Sequence, residues 1–168
     1  MRLSSKKKIA ILCVTVIFLS VFAYRTYAVN KNAYHQVVYK YSINETVLYE
    51  NCEYTVTDME MIKTDEGRRI LVHLHVSNPT DEEQETGFYL FKLESGGFNQ
   101  GMSLMSYEEY NDGSDMGVLK PGEEQDVVIP YNVRKYAFKK RYWKNIDERE
   151  WFLVFRVKPD KVEVDLRD

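Results

Sequence analysis

Arg69-Ile70-Leu71-Val72-His73-Leu74-His75-Val76-Ser77 decides the fold of this chain. Ile70, Val72, Leu74 and Val76 fall on one phase of a two-residue period, and His73 and His75 fall on the other. Successive side chains of an extended strand point to opposite faces, so the stretch predicts a strand with one face toward a core and one toward water. Turn residues bracket it: Asp65-Glu66-Gly67 before, Asn78-Pro79-Thr80-Asp81 after.

Working upstream, Cys52–Ile62 reads as the hairpin partner. Tyr54 and Val56 sit on one phase but Met59 and Met61 on the other, an offset that predicts a bulge near Asp58. Glu45–Glu50 predicts a short strand before it. Downstream, Asp81–Glu85 is an acidic loop, and Gly87–Glu94, apolar on both faces, predicts a central strand. Ser95-Gly96-Gly97 turns the chain into a return over Phe98–Leu104, and Ser106–Met116 reads as a polar loop with one helical turn at Tyr107–Tyr110. After the Lys120-Pro121-Gly122-Glu123 turn comes a strand over Asp126–Val133, where Pro130 implies an edge or a bulge. Trp151–Lys158 is again apolar on both faces, and Pro159-Asp160 breaks it. Val162, Val164 and Leu166 then alternate with Glu163, Asp165 and Arg167 in a half-buried final strand. Seven or eight strands with no long amphipathic helix between them predict a mainly β fold, an antiparallel immunoglobulin-like β-sandwich. Its expected core includes Val56, Val72, Leu74, Val76, Phe91, Ile129, Leu153, Phe155 and Val164.

The N-terminus is different in kind. Arg2, Lys6, Lys7 and Lys8 precede sixteen residues without a charge, Ile9–Tyr24, closed by Arg25. That pattern predicts a signal-anchor with the basic end inside, which places the remainder outside the membrane. Val21-Phe22-Ala23 and Thr26-Tyr27-Ala28 offer small residues at cleavage spacing, but Arg25 obstructs the second, and the reading is an uncleaved transmembrane helix. The expected organisation is a cytoplasmic tail (1–8), the anchor (9–28), a stalk (29–44) and an extracellular sandwich (45–168), with Val37–Asp168 expected to fold alone as a soluble monomer without metal. Export removes nucleic acid and cytosolic cofactors from the expected partners.

Charge separates the same regions. All six Lys/Arg of residues 1–36 stand without an acid, leaving 17 of the 23 basic residues against all 26 acidic ones, a net −9 for the rest. Cys13 lies in the apolar segment, so Cys52 is alone outside and no disulfide closes within the exported part; a buried, hydrophobic Cys52 is expected. Asn44-Glu45-Thr46 matches a glycosylation sequon, which carries no meaning in the bacterial setting that the plain anchor favours.

The run Tyr24-Arg25-Thr26-Tyr27-Ala28-Val29-Asn30-Lys31, followed by Tyr39-Lys40-Tyr41-Ser42-Ile43-Asn44-Glu45-Thr46-Val47, resembles an uncharacterised family of small signal-anchored proteins of Gram-positive bacteria. A strand ending Val76-Ser77-Asn78-Pro79-Thr80 and the Leu119-Lys120-Pro121-Gly122-Glu123 turn are similar to telokin-like, immunoglobulin-like extracellular domains. Where such families usually show Gly-Glu before the first strand, this chain has Asn44-Glu45. The resemblance implies a fold and a location and supplies no activity, cofactor or catalytic residues.

Three constellations remain. His73 and His75, two apart on a strand, face one side and form a candidate chelating pair for Zn²⁺, with a carboxylate needed as third ligand because His35 lies in the stalk. The acidic stretch Ser106–Asp115 resembles a calcium loop, but aligning Gly113 with the loop glycine puts Tyr110 and Leu119 at ligand positions, so an EF-hand fails; a solvated acidic loop is expected, with an irregular Ca²⁺ loop as the alternative. Arg134, Lys135, Lys139, Lys140, Arg141 and Lys144, interleaved with Tyr136, Phe138, Tyr142 and Trp143, form a basic aromatic patch in an acidic domain. Such a patch binds anionic headgroups, wall polymers or an acidic protein face, or it covers one end of a sandwich. No Gly-x-Ser-x-Gly or phosphate-cradling glycine loop is present, and no enzyme is expected. The expected function is a non-catalytic, membrane-anchored binding module of the bacterial cell envelope, requiring no cofactor. A solute- or metal-ion-binding module is the alternative, and an envelope hydrolase comes last.

Overall fold

No glycine or proline interrupts residues 5–33, and they form one helix of 29 residues, α1 (Ser5–Ala33). At 1.5 Å per residue it is about 44 Å long, more than a hydrocarbon core requires. Within it, Leu12–Val29 is long and apolar enough to cross a membrane, with mean hydropathy 1.7. Ser20 and Thr26 donate their hydroxyls to carbonyls four residues back, each at 2.9 Å, so neither needs water. The computed structural model describes residues 5–33, 37–111, 117–156 and 159–167, in two compact units, Met1–Val37 and Val38–Asp168. Residues 1–4 of the expected tail, His35, Asp112–Met116 and the Val157–Lys158 end of one expected strand lie outside the described residues.

The second unit contains, among the described residues, strands β1 (Val38–Tyr41), β2 (Thr46–Tyr49), β3 (Cys52–Lys63), β4 (Gly67–Ser77), β5 (Gln84–Glu85), β6 (Lys92–Ser95) and β7 (Phe98–Gly101). Helix α2 (Leu104–Tyr110) follows, then β8 (Val118–Leu119), β9 (Glu124–Arg134), the short helix α3 (Lys140–Trp143), β10 (Phe152–Arg156) and β11 (Lys161–Asp165). They build a β-sandwich from a five-stranded sheet, β1-β11-β10-β6-β7, and a four-stranded sheet, β2-β3-β4-β9; β5 and β8 pair separately. All nine residues of the expected core are buried, with Tyr54, Phe88, Tyr131 and Trp151 filling the largest volumes. Tyr49, Tyr54, Phe91 and Phe155 pack as one aromatic cluster, Phe91 and Phe155 at 4.3 Å between centroids. Cys52 is fully buried within it, and burial raises its thiol pKa.

The β3–β4 hairpin follows the sequence. Its register shifts between Val56 and Asp58, the expected bulge, and Met59 and Met61 then return to the core side. Of the two places Pro130 implies, an edge or a bulge, β9 takes the edge. Its open edge is closed by α2: Ser103 N–H donates to the Pro130 carbonyl at 2.8 Å, and the buried Asn111 amide both donates to the Val128 carbonyl (2.8 Å) and accepts from the Val128 N–H (2.7 Å). An amide that reproduces a strand's pairing removes a template for aggregation.

Five expectations are corrected. The expected stalk of 29–44 overlaps regular structure at both ends, because α1 runs to Ala33 and Val38–Tyr41 is already a sandwich strand. That strand pairs parallel with β11, so the sandwich is not wholly antiparallel. Residues 87–94 are not one strand: Gly87, at φ +61°, starts a 3₁₀ turn over Phe88–Leu90 and only Lys92–Ser95 is extended. The expected loop from Ser106 is helix from Leu104, with Ser106 and Tyr107 buried. Glu163 does not face water, since β1 flanks β11 and buries it. It sits 2.5 Å from Lys161 Nζ, which also reaches Glu94 at 2.7 Å. Burial disfavours the charge of Lys161, but the hydrogen bonds it donates to these two carboxylates outweigh it and raise its pKa.

Candidate functional site

Two charged surfaces emerge, built by different means. The first is the outer face of the four-stranded sheet. Strand alternation puts His73 and His75 on it, and cross-strand register puts Asp58 beside His73, and Thr55 and Asp126 beside His75. The two histidines do not converge as a pair. His75 Nδ1 lies 2.8 Å from Asp126 Oδ1 and its Nε2 3.7 Å from Glu124. His73 Nε2 instead lies 3.7 Å from Glu60 Oε1. Side chains two apart on a strand stand about 7 Å apart, and each imidazole finds nearer carboxylates on the adjacent strand. Asp58, Glu60 and His73 bring ligand atoms within 4.8 Å of one another. Sequence reading missed Asp58 and Glu60 as partners of His73, although the offset near Asp58 was their signal: the extra residue at Thr57 turns both acids outward. The nearest basic residue on this face of β4, Arg69, is already engaged by Asn132 (3.0 Å), Tyr110 (3.0 Å) and Glu109 (3.2 Å). The described part of the candidate calcium loop is helical, and its Asn111 is spent on Val128.

The second surface is the basic aromatic segment. Arg134 ends β9, and beyond it the segment forms no strand; a 3₁₀ turn (Lys135–Ala137), α3 and a 3₁₀ turn (Ile146–Glu148) carry it across the sandwich end. Phe138 packs tilted against Phe98 at 4.6 Å and against Trp143 at 5.9 Å, and Phe98 meets the buried Trp151 edge-on at 6.0 Å. Gly67 is needed beneath: a Cβ there would stand 2.2 Å from the Val133 carbonyl and 3.1 Å from the Trp143 ring. Arg68 stacks on Trp143 and holds Asp147 through two bonds of 2.7 and 2.9 Å. That pair raises the Arg68 pKa and holds the Asp147 carboxyl below its ordinary range. Arg149, which sequence reading did not single out, donates to the Ser95 hydroxyl and carbonyl, each at 3.0 Å, and lies under Phe138 and Tyr142.

Within the patch the basic residues divide. Arg134 is tied to Tyr136 (3.0 Å) and Glu66 (3.4 Å), and Arg141 to the Tyr142 hydroxyl (2.6 Å). Lys135, Lys139, Lys140 and Lys144 are exposed and, among the described residues, form no ion pair. Trp143 is half-buried. A shallow cleft of about 380 Å³ beside them is lined by Gly97, Phe98, Phe138, Lys139, Tyr142 and Arg149.

Residues 29–162 match the family DUF5028, a domain of unknown function. Two solved structures share the sandwich. A conserved hypothetical protein from Bacillus anthracis is 19% identical, covering 68% of this chain and 88% of that one, with a TM-score of 0.50. An uncharacterized β-sandwich protein from Clostridium difficile 630 is 11% identical, covering 79% and 97%, with a TM-score of 0.50. No curated protein matches the chain.

Proposed function

We propose, for a chain that belongs to the DUF5028 family of domains of unknown function, a non-catalytic role as a membrane-anchored extracellular module that binds a phosphate-bearing component of the bacterial cell envelope. The observation that carries this reading is the division of labour in segment 134–144. Phe138 and Trp143, with Arg68 and Arg149 against them, hold the segment on the sandwich, while Lys135, Lys139, Lys140, Lys144 and the exposed Arg141 project without an acidic partner among the described residues. An ammonium on a flexible stem is a point charge suited to phosphate without strict geometry. The apolar span Leu12–Val29, with basic residues before it, supports anchoring with the sandwich outside. A non-catalytic reading is supported by Cys52, the one thiol outside the apolar helix, which is buried with a raised pKa.

The test uses the full chain in neutral detergent micelles passed over immobilised poly(glycerol phosphate) and over anionic phospholipid. Retention is expected at low ionic strength and is expected to fall with salt, because the Debye length shrinks from about 10 Å at 0.1 M to about 3 Å at 1 M. Replacing Lys139, Lys140 and Arg141 by Gln should abolish retention. Preference for one matrix distinguishes a wall polymer from a lipid headgroup. Equal, weak retention of wild type and triple variant on both at low salt overturns the reading.

A further inference from the structure

The cluster at the β3 bulge is a second candidate site, separate from the basic segment. We infer that Asp58, Glu60 and His73 form a binding site for a first-row divalent cation of the Zn²⁺ or Mn²⁺ type on the outer face of the four-stranded sheet.

Without the extra residue at Thr57, the two-residue period would carry Asp58 and Glu60 to the core side along with Tyr54 and Val56. The bulge reverses the phase, sends Met59 and Met61 inward and leaves both acids outward, Asp58 directly across from His73 and Glu60 two residues further on, across from Leu71. One ligand atom from each of the three then lies within 4.8 Å of the others.

The electrostatics of the cluster are unfinished without a cation. His73 Nε2 is buried and has no hydrogen-bond partner, because Glu60 Oε1 at 3.7 Å is too far to accept one. Among the described residues, Asp58 Oδ1 accepts from the Met59 N–H alone, at 2.8 Å. Among the described residues neither Asp58 nor Glu60 has a lysine or arginine within ion-pair distance. Glu124 and Asp126 beside His75 add negative potential to the same face. One metal ion would satisfy the buried imidazole nitrogen and both adjacent carboxylates, none of which has a basic partner among the described residues.

The donor set selects the ion. One imidazole nitrogen and two carboxylate oxygens suit Zn²⁺ or Mn²⁺, whereas Ca²⁺ takes six to eight oxygens. Coordination needs the donors to close to about 2.0–2.2 Å from the metal. Asp58 and Glu60 are exposed and free to turn, so that closure moves side chains and leaves the ladder in place. Water completes the shell on the solvent side.

Isothermal titration of the full chain in detergent micelles with ZnCl₂, and separately with MnCl₂, tests the site. One of the two ions is expected to bind at one per chain. Asp58→Asn, Glu60→Gln and His73→Gln should each weaken it by about 10-fold or more, on the scale seen when a metal site loses a supporting group. His75→Gln should leave affinity unchanged. Circular dichroism of each variant guards against misfolding, and Co²⁺ titration supplies a second readout: visible d–d bands with wild type and His75→Gln that disappear with His73→Gln. The inference fails if wild type binds neither ion, or if His75→Gln costs as much affinity as His73→Gln. Retention on poly(glycerol phosphate) by Asp58→Asn should match wild type, so loss of the metal site and loss of the basic contact surface are separately visible.

Discussion

The acidic face around His73 and the basic segment around Lys139 are both patches of concentrated charge, yet they are held in opposite ways. On the acidic face, charge rides directly on two long paired strands, and every position follows from alternation plus one bulge. On the basic segment, charge rides on helical turns with no ladder of their own, pinned by Phe138, Trp143, Arg68 and Arg149. The first is therefore as rigid as the sheet. The second is only as rigid as its aromatic and arginine attachments, and it separates residues that hold from residues that project.

That contrast can be broken at its root by Leu74→Ala. Leu74 is 1% exposed and lies between the two histidines on β4. Its truncation should cost about 2–5 kcal/mol in urea unfolding of the full chain, and should disturb the acidic face and the core together. A loss below about 1 kcal/mol would mean the sheet does not depend on this packing.

Gly67→Ala attacks the other region. The new methyl collides with the Val133 carbonyl and crowds Trp143. A cost of about 1–3 kcal/mol is expected, with a shift in tryptophan emission as Trp143 is displaced. Unchanged emission and stability would show that the segment is not seated on Gly67.

Smaller in stability but sharper in logic is the Lys139, Lys140, Arg141 triple Gln variant. It should change stability by no more than about 0.5 kcal/mol, since none of the three is buried. A large drop in melting temperature would mean these side chains hold the segment rather than project from it.

The smallest effect is expected from Asp147→Asn. Arg68 holds the Asp147 carboxyl below its ordinary 3.8, so the pair stabilises the fold above that value and loses its contribution as pH falls through the lower, folded one. Asp147 is 63% exposed, so solvent screening keeps the contribution below about 1 kcal/mol. The variant should unfold like wild type in strong acid and slightly more easily at neutral pH; a gap that widens toward acid would reverse the sign and refute the pairing.

Much of both regions was legible beforehand. The core phase of Ile70–Val76, the bulge near Asp58 and the edge character of Asp126–Val133 were readable because each is a local consequence of side-chain period or proline chemistry. The content of the basic segment was equally plain; its conformation was not. Arg134–Trp143 has no clear period, and what shapes it is Phe98, Arg149 and Gly67, all distant in sequence. His73 and His75 shared a face as expected, but partners on neighbouring strands drew them apart.

By itself the amino-acid sequence determined a long apolar N-terminal helix, a β-sandwich and the residues of its core, since these follow from runs and periods a few residues long. Only the tertiary structure decided what lies across a strand. It decided that Val38–Tyr41 would join β11 in parallel and bury Glu163, that Asn111 would close the edge of β9, and that Asp58 and Glu60 would meet His73. The physical reason is the same in each case: alternation tells a side chain which face it takes, while its neighbour on that face is set by the register and order of strands brought together from far apart in the chain.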